Sequence, residues 1–489
     1  MVESAGNYEP GALEAFAAKA RAYVDENWEA IVADIDALVS IPSVEDRSAA
    51  AEPDAPYGPG PREALTAALQ MAERLGFDAH DVEGRIGYAD LSGETDTQIG
   101  IIGHVDVVPA GPAWTFEPFA VTRKDGYLIG RGVMDDKGPS VVALHAMKML
   151  AEAGVPRPYT VRFLFGANEE TGMADVAYYR ERFADPAFLF TPDADFPVCN
   201  GEKGGIQGWL ESAPVTDGRL VELAGGMAAN AVPGVAHAVV RVGEGEGVLP
   251  CAERLTFEDG GMLEATLEAD GCLRIEAQGK SAHASLPHLG VNAASLVVDY
   301  LLDRDLVSAQ ERVFLEAARK LLSHTDGSGV GLACADEHFG ALTIVGGVIK
   351  LEEGRLRLSF DSRYPTCITA DRIEDAMRAL AESAGGSVSV GHIMEPFLVD
   401  AQAPAIQAML RAYNQVTGEG AKPFTMGGAT YAREFTAGAS FGPAMPWLEM
   451  PEWAGGIHAP NEAASEEVLK TAFCAYACAL FELMRIDLG

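Results

Sequence analysis

Three apolar runs of this chain each end in residues that bind cations. His104 and Asp106 follow a run closing at Ile102. Glu169 and Glu170 stand in Asn168-Glu169-Glu170-Thr171-Gly172, after Thr160 to Phe165. Asp193 stands in Pro192-Asp193-Ala194-Asp195, after Ala187 to Thr191. A fourth site of carboxylates, Asp135 and Asp136, lies in Gly130-Arg131-Gly132-Val133-Met134-Asp135-Asp136-Lys137-Gly138, just ahead of a helical pattern. In an extended chain, residues two apart point the same way, so one of His104 and Asp106 can bind a metal while the other orients it. Adjacent glutamates at the end of an apolar strand repel each other unless a cation is present. Carboxylates and imidazoles without cysteine suit zinc, manganese or cobalt. Two such ions roughly 3.5–4 Å apart need a shared carboxylate and a bridging water. A glutamate left uncoordinated can take that water's proton. Singly, each motif also reads as a strand cap, an N-capping turn or a solvated loop. Their recurrence at the ends of three successive strands is the stronger signal, because sites in open α/β sheets form outside the carboxyl ends of strands.

The elements that must position these residues alternate. Gln98 to Val108 contains a short continuous apolar run, as in a buried parallel strand, and Ser140 to Ala153 has helical periodicity. Tyr159 to Gly166 and Ala187 to Thr191 read as two further strands. This order predicts an α/β domain with a mostly parallel sheet flanked by helices. Ahead of it, residues 11 to 40 predict one or two amphipathic helices and residues 61 to 76 another, with a loop from Ala49 to Pro61 between them. Near Ser212 the character changes to short strands with two clear helices, Val291 to Asp303 and Ala370 to Ser383. Each follows a strand, Leu273 to Gln278 and Leu356 to Arg363. Two such units predict an inserted α+β lid domain with an internal pseudo-repeat. Helical patterns return at Ala403 to Val416 and Ser465 to Met484. The expected division is residues 1–211 and 396–489 for the two parts of a catalytic domain and 212–395 for the lid.

Composition bounds the function. A chain of 489 residues exceeds what one core supports, and 48% hydrophobic residues make it globular. A net charge of −36 argues against nucleic acid or an anionic membrane surface as partner. Seven cysteines, Cys199, Cys251, Cys272, Cys334, Cys367, Cys474 and Cys478, show no zinc-finger spacing and fit reduced thiols. The opening Met1-Val2-Glu3-Ser4 has no signal-peptide pattern, and no window has the length of a membrane span. A cytoplasmic protein is expected.

Taken together, the motifs resemble those of the di-zinc metallopeptidases that include aminoacylase, carboxypeptidase G, succinyl-diaminopimelate desuccinylase and the Xaa-His (carnosinase-like) dipeptidases. The resemblance runs over almost the whole chain, in the family's order. It implies two divalent ions, most simply zinc. His104 and Asp193 would hold one, Glu170 and His458 the other, and Asp135 would bridge them. His458 sits in Gly456-Ile457-His458-Ala459-Pro460-Asn461-Glu462, similar to the family's His-x-x-Asn-Glu signature. Glu169 is implied as the general base, Asp106 as the residue that orients His104, and the Asp135–Asp136 bond as cis.

The bacterial dipeptidase branch is the most similar. Arg131 to Pro139 resembles it, as do Ser285-Leu286-Pro287-His288-Leu289-Gly290-Val291-Asn292-Ala293 and Met426-Gly427-Gly428-Ala429-Thr430-Tyr431-Ala432-Arg433. Ala429 stands where the branch usually has a glycine. This likeness implies a monomer with an enlarged lid, acting on small dipeptides. His283 would stabilise the oxyanion, Asn230, Gly428 and Thr430 would contact substrate, and Arg363 would grip its C-terminal carboxylate. An N-acyl amino acid hydrolase or carboxypeptidase would use the same metal chemistry with a different pocket. A non-catalytic metal- or peptide-binding protein on the same fold would have lost the base or a ligand, and here Glu169 and all five ligands are present.

Overall fold

A computed structural model describes residues 11–48, 54–242, 252–269 and 271–488. The opening four residues, Cys251 and residues 49–53 of the expected loop lie outside these. The chain divides into two compact units. One comprises Met1–Gly201, Leu398–Phe424 and Ala429–Gly489, the other Glu202–Phe397 and Thr425–Gly428.

The first unit is built on a sheet whose four central strands run parallel, in the order Thr160–Gly166, Gln98–His104, Phe188–Thr191, Gly438–Ser440. Antiparallel strands flank them, Asp78–Val82 and Ile86–Leu91 on one side and Cys199–Glu202 on the other. The central strands are mostly apolar and buried. Gln98–His104 is buried from its second residue to its last. The predicted N-terminal helical region is a single helix, Ala12–Val39, and Pro59–Arg74 follows, so the helix begins inside the stretch expected as loop, with a proline in its first turn. Lys137–Glu152, Pro404–Thr417 and the C-terminal helix Glu466–Leu483 complete the core. Glu466–Leu483 is buried along nearly its whole length, and Phe481 stacks on Phe16 with ring centroids 4.4 Å apart.

Every described pairing within the second unit's large sheet is antiparallel. This unit begins at Glu202, ahead of Ser212, because Gly204–Glu211 pairs along its full length with Arg355–Tyr364. Helices Ala293–Asp303 and Ala370–Ser383 follow their strands as the sequence predicts, and a third, Ala309–Leu322, packs beside them. That third helix is marked by a capping box, in which Ser308 accepts from the Glu311 N–H and Glu311 accepts from the Ser308 N–H. The buried Glu311 carboxylate also accepts from the N–H groups of Arg219 (3.1 Å) and Leu220 (2.8 Å), pinning an adjacent strand. Glu311→Ala leaves those buried donors unsatisfied and is expected to destabilise this unit by roughly 2–3 kcal/mol, read as a lowered urea midpoint.

Among the described cysteines, Cys199, Cys474 and Cys478 are buried, Cys272 and Cys334 half-buried, and Cys367 exposed. No described helix is long and apolar enough to cross a membrane.

Candidate metal centre

Parallel strands present their carboxyl ends at one edge, and the register sets the depth. His104 lies opposite Gly166, so Glu169 and Glu170 emerge just beyond the same edge, and Asp193 follows Thr191 there. The loop before Lys137–Glu152 brings Asp135 to the same place. Its Asp135–Asp136 peptide is cis. Gly103 makes room for the Asp136 side chain, whose Oδ2 accepts from the His104 N–H (3.1 Å) and the Ser140 hydroxyl (2.9 Å). His458 reaches in from a separate loop with a left-handed backbone, φ 60°, a conformation that non-glycine residues rarely adopt and that often marks a functional position.

The seven residues meet closely. Asp135 lies between the two histidines. Its Oδ1 is 3.0 Å from His104 Nε2 and its Oδ2 is 2.9 Å from His458 Nε2. His104 Nε2 is also 3.6 Å from Asp193 Oδ2, and His458 Nε2 is 3.1 Å from Glu170 Oε2. Two sets of potential ligand atoms each fall within 4.8 Å of one another: His104, Glu169 and Asp193, and His104, Asp135 and Glu170. Asp106 acts on both sides of this arrangement. Its backbone carbonyl accepts from His104 Nδ1 (2.9 Å), which leaves Nε2 as the ligating nitrogen. Its carboxylate, 3.4 Å from Nδ1, accepts instead from the Glu169 and Glu170 N–H groups, both at 3.2 Å. Behind the glutamates, buried Asp175 accepts from the Ala167 N–H (2.7 Å), the Asn168 N–H (3.1 Å) and the Tyr431 hydroxyl (2.5 Å).

Electrostatics tests whether cations fit. Burial, reinforced by neighbouring acids, pushes the carboxyls of Glu169, Glu170 and Asp193 upward. Burial alone would lower His104, yet its contacts with Asp106, Asp135 and Asp193 hold it well above the ordinary value. Hydrogen bonds donated to the Asp135 and Glu170 carboxylates raise His458 to about 10. For Asp135 burial acts upward, but the two imidazoles outweigh it and lower the carboxyl. Carboxyls and imidazoles shifted upward side by side mark a surplus of negative charge, which divalent cations would neutralise. The donor set fits two of them.

The other sequence-predicted residues have surroundings of their own. Asn230 and His283 are exposed neighbours in the second unit: the Asn230 carbonyl accepts from the Ala284 N–H (2.9 Å), and Ala231 bridges to His283. The His283 Nδ1 is 2.7 Å from the Ser285 hydroxyl. Arg363 is buried and forked onto Asp361 of its own strand (Nε–Oδ1 2.7 Å, Nη2–Oδ2 3.0 Å), with Nη1 donating to the Gly427 carbonyl at 3.4 Å beside Gly428. Thr430 is buried in the first unit. Its hydroxyl caps the turn Tyr431–Glu434 and lies 3.0 Å from the Ser440 hydroxyl. Sequence reasoning assigned no role to Asp136, Asp175 or Glu462, and quoted Tyr431 only within a motif. Each acts through a partner distant in sequence, except Asp136, whose adjacency to Asp135 is the one local signal.

A protein-family model described as Peptidase family M20/M25/M40 matches residues 100–482. The chain is 31% identical over 473 residues to the YtjP protein of Bacillus subtilis (strain 168), a match spanning 94% of this chain and 100% of that one. It is 32% identical over 476 residues to the Beta-Ala-Xaa dipeptidase of Lactobacillus delbrueckii subsp. lactis, spanning 94% and 96% of the two chains. Human carnosine dipeptidase 1 has the same fold, with a TM-score of 0.55 at 15% identity over 96% of this chain and 100% of that one.

Proposed function

Because the chain belongs to peptidase family M20/M25/M40 and is thus a hydrolase of peptide bonds, we propose that it is a two-metal dipeptidase centred on Asp135. The observation that carries this reading is the placement of the two Asp135 oxygens, each within about 3 Å of a different imidazole: 3.0 Å from His104 and 2.9 Å from His458. One carboxylate so placed would serve two ions. His104 with Asp193, and His458 with Glu170, complete the two sites. Zinc suits the donors best, and manganese and cobalt are accepted by the same set. Cations held by these residues would supply an acidified water and polarise the scissile carbonyl. Glu169 takes the proton from the attacking water on its carboxylate and hands it to the departing amine nitrogen. Asp106 holds the glutamate backbone and the His104 ring in place while this happens. His283 donates to the oxyanion and Asn230 contacts the substrate. Gly428 and Thr430 contact substrate through their backbone, since the Thr430 hydroxyl is engaged in its cap. The enzyme works as a cytoplasmic monomer, with the inserted unit as its lid.

The substrate class follows the relative named for Beta-Ala-Xaa dipeptides. The deciding experiment is metal content and turnover of one preparation on β-alanyl and α-dipeptides beside N-acyl amino acids. About two metals per chain with dipeptide turnover supports the reading. Faster cleavage of N-acyl amino acids would transfer it to acylase activity.

Arg363 gives a narrower expectation. Asp361 engages Nε and Nη2, leaving Nη1 beside Gly427 as the end that meets a substrate carboxylate. An amidated dipeptide should be cleaved at least 10²-fold less efficiently than the free acid, because a buried guanidinium is left facing a neutral group. Equal kcat/KM for acid and amide would reduce Arg363 to a strut for its strand.

A further inference from the structure

Glu462 shares its loop with His458 but faces away from the ligand cluster. Its side chain is fully buried. Oε1 accepts from three N–H groups of one loop, those of Gly132 (3.1 Å), Met134 (3.0 Å) and Asp135 (3.2 Å), and Oε2 accepts from Arg131 Nη1 at 2.5 Å. The Glu462 carbonyl accepts from the Gly130 N–H at 3.0 Å. The base of the His458 loop is closed where the Gly455 N–H donates to the Asn461 carbonyl (2.7 Å). Asn461 Oδ1 accepts from the Thr115 N–H (2.8 Å).

We infer that Glu462 is a positioning residue for both metal sites, fixing the Asp135 loop through three backbone amides and the His458 loop through its own backbone. The inference rests on the two-metal reading above. A role in stability alone explains the geometry poorly. A buried ion pair such as Arg131–Glu462 roughly breaks even against an apolar pair, so charge pairing by itself gives little reason for this carboxylate. Its other three donors all belong to one segment, Gly132 to Asp135, and the last is the N–H of the shared ligand itself. Hydrogen bonds to a charged acceptor are stronger than those between neutral groups. The segment is therefore anchored at three points, and displacing it moves the one carboxylate that both sites share. Arg131, lying 5.4 Å over the Trp114 ring, keeps the carboxylate turned toward those amides.

The test compares Glu462→Gln, nearly the same shape without the charge, with Asp90→Asn. Asp90 makes a paired contact with Arg162 in the same unit (2.8 and 2.6 Å) and touches no ligand loop, so its variant controls for lost stability. Three readouts are taken: zinc and cobalt affinity by chelator competition, the absorption spectrum of the cobalt-loaded chain, and the melting temperature of the metal-free chain. Glu462→Gln should bind metal 10–100-fold more weakly, the range for partners that orient ligands, and shift the cobalt bands. Asp90→Asn should lower the melting temperature with affinity and spectrum unchanged. Wild-type affinity and spectrum in Glu462→Gln overturn the inference, as does an equal loss of affinity in Asp90→Asn. If Glu462→Gln fails to fold, Arg131→Lys decides: it keeps the cation but shortens its reach, and unchanged affinity and spectrum in it overturn the inference. A wild-type chain that binds two metals yet cleaves no dipeptide sinks the dipeptidase reading and leaves this inference standing. A wild-type chain that binds no metal overturns both.

Discussion

Glu169→Ala should keep about two metals per chain while turnover falls by roughly 10²–10⁴ or more, the range for loss of a general base. The competing role is that of ligand, and the geometry makes the contest real, since a Glu169 carboxylate oxygen lies within 4.8 Å of ligand atoms of both His104 and Asp193. The two roles part on metal content. A ligand's removal empties its site, whereas a base's removal leaves the ions in place and stops proton transfer. Burial, with Asp193, Glu170 and Asp135 adding to it against the opposing pull of His104, raises the Glu169 carboxyl. A carboxylate whose proton affinity is raised by burial is suited to taking a proton. Metal analysis beside steady-state kinetics on the same sample settles the matter. Near-normal turnover, or loss of one ion, would refute the assignment.

Asp135→Ala is expected to remove both metals together and reduce turnover to background. His104→Ala should impair mainly one site, because His458, Glu170 and Asp135 still define the other. The asymmetry follows from one carboxylate serving two ions. No other described side chain contacts both imidazoles at these distances, His104 Nε2 at 3.0 Å and His458 Nε2 at 2.9 Å. Recovery of a full metal pair in Asp135→Ala by elemental analysis would rule out the bridge.

Much of this centre was legible in the sequence because a parallel sheet converts linear pattern into position. Apolar runs ending in His104, Glu169–Glu170 and Asp193 had to deliver those residues to one edge once their strands paired. The helix Ala370–Ser383 was legible to the residue, its amphipathic spacing and Thr369 cap being local. What could not be read was long-range. Nothing near Asp175 announces that Tyr431 will donate to it, nor does anything near Gly132 announce Glu462. The orienting role expected of the Asp106 carboxylate is shared differently: the nearer contact to His104 is the Asp106 carbonyl, while the carboxylate serves the glutamates. That division depends on how the loop after Gly166 turns back, a matter of tertiary packing. The antiparallel flanks of the sheet escaped notice because short strands such as Asp78–Val82 are polar and half-exposed. Helix Ala309–Leu322 was missed although Ser308 and Glu311 carry the spacing of a capping box, a signal that a search for helix starts would have found.

The split of the first unit across the chain has a consequence for its synthesis. Ribosomes add roughly 5–20 residues per second. Residues up to Gly201 therefore emerge tens of seconds before Leu398, and the whole inserted unit is made in between. During that interval the early segment lacks the strand Gly438–Ser440 and the buried helix Glu466–Leu483 that complete its core. Four of the five proposed metal ligands are present by Asp193, but His458 is among the last residues to appear. On the proposed two-metal reading, a nascent chain without His458 would lack its second metal site, and peptide-bond cleavage would wait until most of the molecule has been made. On that reading, order of translation would act as a timer on activity, set by where along the chain the last ligand was placed.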